Sequence, residues 1–312
     1  MKKLNALLIG FVLIGIVLIS CKKERDESST KSETLKLNLR VNNNMLVFNS
    51  IDKLDETIRY LNSMGDNNLV KFESNLSFNS MRVSLNEGKR RELGIEDDLL
   101  AAIINSDGEI QIGDNIFKLD IPNKNVLMVP ARMYKNGVGF GNKEAVQTFS
   151  IYDDYEKIME RGTAKSSSCS RQKKGPYYWN VSGVEIKYKI VYQNAFFYHS
   201  LQAKIKKDNG TGGVVNISMF TLGKNFYKKN GDDNKINIPY ANFGGNERVY
   251  HYRPYASVST GLVAYKYDVQ FSAYHVTTQQ GWTAHLKITC GYSDGGGNSG
   301  GGGDCDGCPN PL

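Results

Sequence analysis

Apolar residues change their spacing several times along the chain. Ile51, Leu54, Ile58 and Leu61 recur at three- and four-residue intervals, the spacing of one helix face over 51–64. Asn49 or Ser50 is the N-cap of that helix, and Phe48 stands where a hydrophobic staple would pack. Before it, residues 35–47 open with apolar and polar positions alternating, which predicts a short strand. Residues 69–80 carry a weaker helical pattern. IEDDLLAAIIN over 95–105 predicts a third helix with its acids in the first turn, where they favour the helix dipole.

The period then shifts to two. Residues 106–130 read as strand, turn, strand, turn, strand, with turns at Gly113-Asp114-Asn115 and Pro122-Asn123-Lys124. Ile110, Ile112, Ile116 and Leu119 are expected on one buried side. DGEIQIGDN lacks both the acceptor spacing and the Glu at position twelve of an EF-hand loop, so turn chemistry is preferred to calcium. Residues 131–175 connect: a Gly-rich stretch at 135–143, a helix over 150–161 with Ile151, Tyr155 and Ile158 inward, then an exposed loop, AKSSSCSRQKKGP, that holds the expected domain boundary.

From 176 to 292 the chain reads as strands at 183–192, 195–206, 213–222, 234–239, 247–253, 262–274 and 282–290, broken by Asn209-Gly210, Asn230-Gly231 and Gly244-Gly245. Seven short strands at this spacing predict a sandwich, the immunoglobulin type being one option. The fold class is therefore α+β: a small helix-plus-hairpin domain over 35–130, then an all-β sandwich over 176–292. Residues 293–312 are Gly-rich, end in a CxxC pair and read as a flexible tail.

One apolar run stands apart. Lys2 and Lys3 precede an uncharged stretch from Ala6 to Ile19. A basic start and a short apolar core make a secretory leader rather than a span of about 20 apolar residues. The closing string LISC resembles the lipobox of bacterial lipoproteins. That resemblance implies removal of residues 1–20, lipid on Cys21 and a membrane partner reached through that lipid. Residues 21–34 are polar, with no aromatic residue, and read as a tether. Lys22, standing where Asp would retain such a protein at the inner membrane, implies the outer membrane. The charges after Cys21 also resemble a surface-export signal.

Charge adds little to this. The full chain carries +7, and Lys2 and Lys3 leave with the leader. Residues 35–130 hold 11 basic and 14 acidic residues, and residues 175–312 hold 13 and 9. Neither balance argues for nucleic acid. The segments LVFNSIDKLDETIRYLNSM, LLAAIINSDGEIQIGDNIFKLD and FFYHSLQAKIKK, with the lipobox, resemble an uncharacterised Bacteroidota lipoprotein family, a domain of unknown function. That resemblance supports the destination and the two-part architecture and brings no catalytic residues with it.

Chemistry is sparse. His199, His251, His275 and His285 form no HxH or HxxxH pair, and a metal needs three or four convergent ligands. His275 and His285 flank a turn and are close enough in sequence to meet across a hairpin. No nucleophile elbow, SxxK or phosphate loop is present. Asp97-Asp98, Asp153-Asp154 and Asp232-Asp233 fall at a helix start or in turns. Cys169, Cys290, Cys305 and Cys308 are candidates for structural disulfides in an oxidising compartment. CDGC lacks the helix start that activates a redox thiol. No cofactor or metal is implied.

Residues 176–292 hold 14 Tyr, 6 Phe and 2 Trp. Rings in such number serve both a core and a binding face. Tyr177, Tyr178, Trp179 and Trp282 are the candidate ligand contacts. The expected function is that of a lipid-anchored envelope or surface protein, a binding module for glycan or protein rather than an enzyme. An assembly component and a hydrolase are the alternatives.

Overall fold

The structure, a computed structural model, describes residues 39–153, 155, 159, 172–208, 213–221, 226–229, 235–237, 241–258 and 262–290. These belong to one compact unit that begins at Leu39. The leader, Cys21, the tether, Ile158, Cys169, the Ser-rich loop to Arg171, Cys305, Cys308 and the tail lie outside the described residues.

The chain begins with strands β1 (Arg40–Asn42) and β2 (Met45–Phe48). Asn43 and Asn44 turn between them at positive φ, which Asn tolerates better than most residues. The expected helix follows as α1 (Ile51–Met64), with Leu54, Ile58 and Leu61 buried. Of the two candidate caps, Ser50 serves: its hydroxyl accepts from the Lys53 N–H at 3.3 Å. Four shorter helices come next: α2 (Leu69–Leu76), α3 (Met81–Ser84), α4 (Glu87–Glu92) and α5 (Asp98–Ile103). Side chains of Ser80, Asn86 and Asp97 cap the last three.

The expected meander is β3 (Glu109–Ile112), β4 (Asn115–Asp120) and β5 (Asn125–Pro130). Helix α6 (Ala131–Lys135) and strand β6 (Gln147–Ser150) lie where no regular pattern is legible. The six strands form one sheet in sequence order. Only β2 and β3 run parallel, and the helices α1–α5 are the crossover that a parallel pair requires. One face of this sheet packs Phe48, Ile110, Ile112, Phe117 and Leu119 against those helices. Ile116 is on the other face, with Met45 and Val129 under α6. The expectation that it shares a side with Ile110 fails, because the register pairs Ile116 with Gln111.

The second half supplies two facing sheets, the expected sandwich, with ten strands among the described residues rather than seven. They are β7 (Gln172–Val181), β8 (Val184–Ala195), β9 (Tyr198–Lys207), β10 (Val215–Thr221), β11 (Phe226–Lys229), β12 (Lys235–Asn237), β13 (Asn242–Gly245), β14 (Val249–Ser257), β15 (Leu262–His275) and β16 (Gly281–Cys290). Lys173 and Lys174, expected in an exposed loop, lie within β7. The outer sheet runs β12-β11-β15-β10-β13, with β16 along the other edge of β15; the middle sheet runs β14-β9-β8-β7. Between them lies a core of Ile186, Tyr192, Leu201, Ile205, Tyr267 and Phe271.

Two bulges shift the phase of the middle sheet. One falls between Lys174 and Tyr177. There a Cβ on Gly175 would lie 2.7 Å from the Tyr188 carbonyl oxygen, so only glycine fits. The other falls between Tyr252 and Tyr255, at Pro254 on an edge strand, where a missing N–H is tolerated. Each bulge turns one side chain away from the outer sheet and toward the helices.

The turn between β8 and β9 is Phe196-Phe197, both fully buried. It belongs to the second half by sequence and to the first core by packing. Phe197 lies 6.0 Å from Phe117 edge-on, and Phe196 stacks on Phe149 at 5.5 Å. Phe196 has φ +57°, a strained value for a bulky residue, and its N–H donates to the Ile151 carbonyl at 2.9 Å. The Phe197→Ala variant should lose about 3–5 kcal/mol of stability. Trp179 and Trp282 both sit between the two sandwich sheets, so their fluorescence reports the other core. Urea unfolding should move by the same amount whether followed by tryptophan emission or by helical circular dichroism. A tryptophan curve left in place would uncouple the halves.

Candidate functional site

The face of the middle sheet turned away from the sandwich is polar and charged. Lys187, Lys189 and Gln193 of β8 stand on it, as do Ser200, Gln202, Lys204 and Lys206 of β9 and His251 and Arg253 of β14. Opposite are the acidic residues of the helices. Apart from the apolar tip of the β8–β9 hairpin, the contact between the halves is therefore ionic and largely buried.

Its centre is Asp97, which is fully buried. One carboxylate oxygen accepts the Leu99 N–H at 2.9 Å and so starts α5. The guanidinium of Arg253 approaches both oxygens, at 2.8 Å and 3.0 Å. The hydroxyl of Tyr198 donates at 2.7 Å, and that of Ser200 donates to the same oxygen. Arg253 also reaches Asp66 at 3.0 Å and the side-chain oxygen of Asn62 at 3.1 Å. Such saturation is what a buried ion pair needs to offset its desolvation. Burial lowers the Arg253 pKa less than Asp97 and Asp66 raise it, so it stays charged. Burial would raise the Asp66 carboxyl, but His251 and Arg253 hold it well below the usual range.

The seam reaches the surface beside α4. There it opens into a cleft of about 340 Å³ between that helix and strands β7, β8 and β9. Lys187, Lys189, Lys204, Lys206 and Arg91 line it against a single carboxylate, Glu87. Lys189 donates to one oxygen of Glu87 at 3.3 Å and Lys206 to the other at 3.0 Å. Lys204 donates to Asp98 at 2.8 Å. Burial would raise the Glu87 pKa; Lys204, Lys189 and Lys206 overcome it and bring it down to about 2. Burial would likewise raise Asp98, and Lys204 and Arg90 hold it well below its usual value. A larger cleft of about 420 Å³ lies along β1 and β3, with Arg40 and Lys135 near Asp114. It offers no aromatic wall.

The four ligand candidates separate by strand phase. Tyr177 and Trp179 point into the sandwich. Trp179 stacks on Trp282 at 4.5 Å, and Tyr188 meets Trp282 edge-on at 5.0 Å. These rings close the side of the sandwich where β7 and β16 run together. Tyr178 points the other way, 53% exposed, into the cleft, with the Lys187 ammonium 5.3 Å from its ring. The four lysines and Glu87 were not singled out by sequence reasoning. The faint signal was alternate lysines along VEIKYKI and LQAKIKK.

The histidines are scattered. His251 is held by Asp66 and by Gln202 at 2.8 Å. His275 accepts the Thr278 N–H at 2.9 Å, while His285 pairs with Asp268. The last two do not meet, because His285 lies opposite Gln270. Among the described residues no group of three His, Cys, Asp or Glu is placed to hold a metal ion. Asp97 and Asp98 belong to the seam; Asp154, Asp232 and Asp233 lie outside the described residues. Cys290 ends β16 and packs against the sandwich core.

No protein-family model matches the chain, and no curated protein matches it. Among solved structures it is similar to a DUF4848 family protein from Bacteroides thetaiotaomicron. The TM-score is 0.21 and the identity 11%, over 80% of this chain and 100% of that one. A likeness at that score carries no weight for the site.

Arg253→Ala strands the Asp97 carboxylate in the interior, so it should cost about 3–5 kcal/mol by chemical denaturation. Acid should act on the same seam. Asp66, Glu87 and Asp98 titrate low when folded and near 4 when unfolded. Their contribution is complete above about pH 5 and is lost as the pH falls toward about 2. Denaturation midpoints measured from pH 7 down to pH 2.5 should fall in that interval and stay level above it.

Proposed function

We propose that the chain is a lipid-anchored envelope protein of Bacteroidota lipoprotein type, held at the outer membrane through Cys21, whose cleft beside α4 binds a ligand. The observation that carries the binding role is the cleft itself: buried lysines on its floor and one half-exposed tyrosine on its wall. A binding site of this kind has a small number of placed polar groups beside an apolar contact. The volume falls at the low end of the roughly 300–1,000 Å³ of small-molecule sites. Both halves line it, so their packing preorganises the site. The ligand is therefore assigned to the seam rather than to the sandwich alone.

The leader and tether support the destination. Among the described residues no helix is long and apolar enough to cross a membrane, so attachment in this reading rests on the lipid. Cys290, which is disulfide-bonded, supports an oxidising compartment.

Two outcomes test this reading. Cys21→Ser should abolish incorporation of labelled lipid and move the protein from the membrane to the soluble fraction; unchanged fractionation with the label retained would refute the anchor. Tyr178→Ala should lower retention on a glycan array at least tenfold. Because the side chain is exposed, stability should move by no more than about 0.5 kcal/mol. Equal retention would take the ligand out of this cleft.

A further inference from the structure

Glu87 is held as a ligand would be. Each of its oxygens takes one ammonium, Lys189 on one side and Lys206 on the other. Lys189 has a second carboxylate in Glu96, and Lys204 has Asp98. Lys206 pairs with Glu87 alone among the ion pairs of the described residues. Arg91 lines the cleft and makes no ion pair among the described residues. Behind the lining, Arg90 pairs with Asp98 and Lys173 with Glu96; on the lining, Lys187 is shared by Glu185 and Asp208. Seven cations in this group thus share five carboxylates. Lys189 and Lys204 are 7% and 14% exposed. A positive surplus in a partly desolvated hollow concentrates anions.

We propose that the ligand is a carboxylate-bearing sugar whose acid group takes the position between Lys189 and Lys206 that Glu87 holds in this structure. This deepens the binding role assigned to the cleft and rests on it. The carboxylate follows from the two-oxygen, two-ammonium arrangement. The sugar follows from the rest of the wall. Tyr178 presents a half-exposed aromatic ring with the Lys187 ammonium over it, and Pro176 shares the same lining. The C–H face of a pyranose ring matches that surface, while its hydroxyls meet lysine and the Asn86 amide on the same lining. An acidic peptide would satisfy the lysines and leave Tyr178 idle. Glu87 lies on the two-turn helix α4 and its side chain is 32% exposed, so it can turn to solvent when the acid group enters. It acts as an internal competitor for Lys189 and Lys206.

The test is calorimetric titration of the full mature chain in detergent at low salt. The probes are trigalacturonate, its neutral galactose counterpart, hexaglutamate and inorganic phosphate. Trigalacturonate should bind at least tenfold more tightly than each of the others and weaken as salt is raised. Lys206→Gln should weaken it about tenfold. Glu87→Gln should tighten it several-fold by removing the competitor. Thermal melts of both variants establish that they fold, and Lys206→Gln alone decides the matter if Glu87→Gln does not. Equal binding of the neutral sugar, still lost in Tyr178→Ala, would overturn the acidic class and leave the cleft standing. Hexaglutamate or phosphate binding as tightly as the uronide, with Tyr178→Ala silent, would overturn the sugar. Uronide binding indifferent to both Lys206→Gln and Glu87→Gln would overturn the position. No binding of any probe would overturn the proposal, while array retention that depends on Tyr178 would still uphold the cleft.

Discussion

One buried carboxylate, Asp97, carries two jobs that cannot be separated. It caps α5 through the Leu99 N–H and it receives the guanidinium of Arg253 from β14. A local helix start and a long-range sheet contact are thereby the same set of hydrogen bonds. Removing water from such a pair is expensive, and only full saturation of its oxygens makes the arrangement tolerable. Tyr198 and Ser200 complete that saturation from β9. The middle sheet consequently has two unlike sides. One packs aliphatic and aromatic side chains against the outer sheet; the other meets the helices through charge.

A charged seam of this kind has an open end, and the candidate site is that end. Deep in the seam, Asp97, Arg253, Asn62 and Asp66 satisfy one another. Nearer the surface the pairing thins. Lys189 still reaches Glu96 and the carbonyl oxygen of that residue at 3.4 Å. Lys206 has moved outward to 27% exposure. The cleft and the structural interface are thus continuous: Lys204, on the cleft lining, feels Asp98 and Glu87 beside it and Asp66 deeper in the seam. Bulge geometry matters as much as charge. Without the slip at Gly175, Tyr178 would point into the sandwich, and its place on the cleft wall would fall to a neighbour.

Much of the scaffold was legible. α1 was visible because its apolar spacing, cap and length agree. The β3–β4–β5 meander was visible because Asp, Asn, Pro and Gly mark its turns. What escaped has a common physical cause. A lysine on a strand face looks the same in sequence whether it meets water or a helix carboxylate, so nothing set Lys189 and Lys204 apart. The opposite charge balances of the two halves were the trace of their contact, though a net balance does not say where charges meet. Phe196-Phe197 escaped because it has none of the residues that announce a turn; packing alone holds it there. Trp179 and Trp282 were singled out as candidate contacts, and strand phase sent both inward, that of Trp179 and Tyr178 being reset by the bulge at Gly175. Pro176 and Pro254 were available as warnings of those bulges.

Asp97 and Arg253 are 156 residues apart. Chains are synthesised from the N-terminus at roughly 5–20 residues per second, so on the order of ten seconds separates their emergence. During that delay the part of the first half that will meet β14 presents water with the carboxylates of Asp66 and Asp97, and the apolar surface around Phe117 waits only for the β8–β9 tip. A half-made chain of this design can wait without adhering to its neighbours. The apolar part of the contact is the tip of the β8–β9 hairpin, Ala195 to Tyr198, with Val258 at the end of β14, all packed into the core of the first half. An oily interface would hold the finished protein together equally well, but it would leave the growing chain exposed to aggregation for the whole interval.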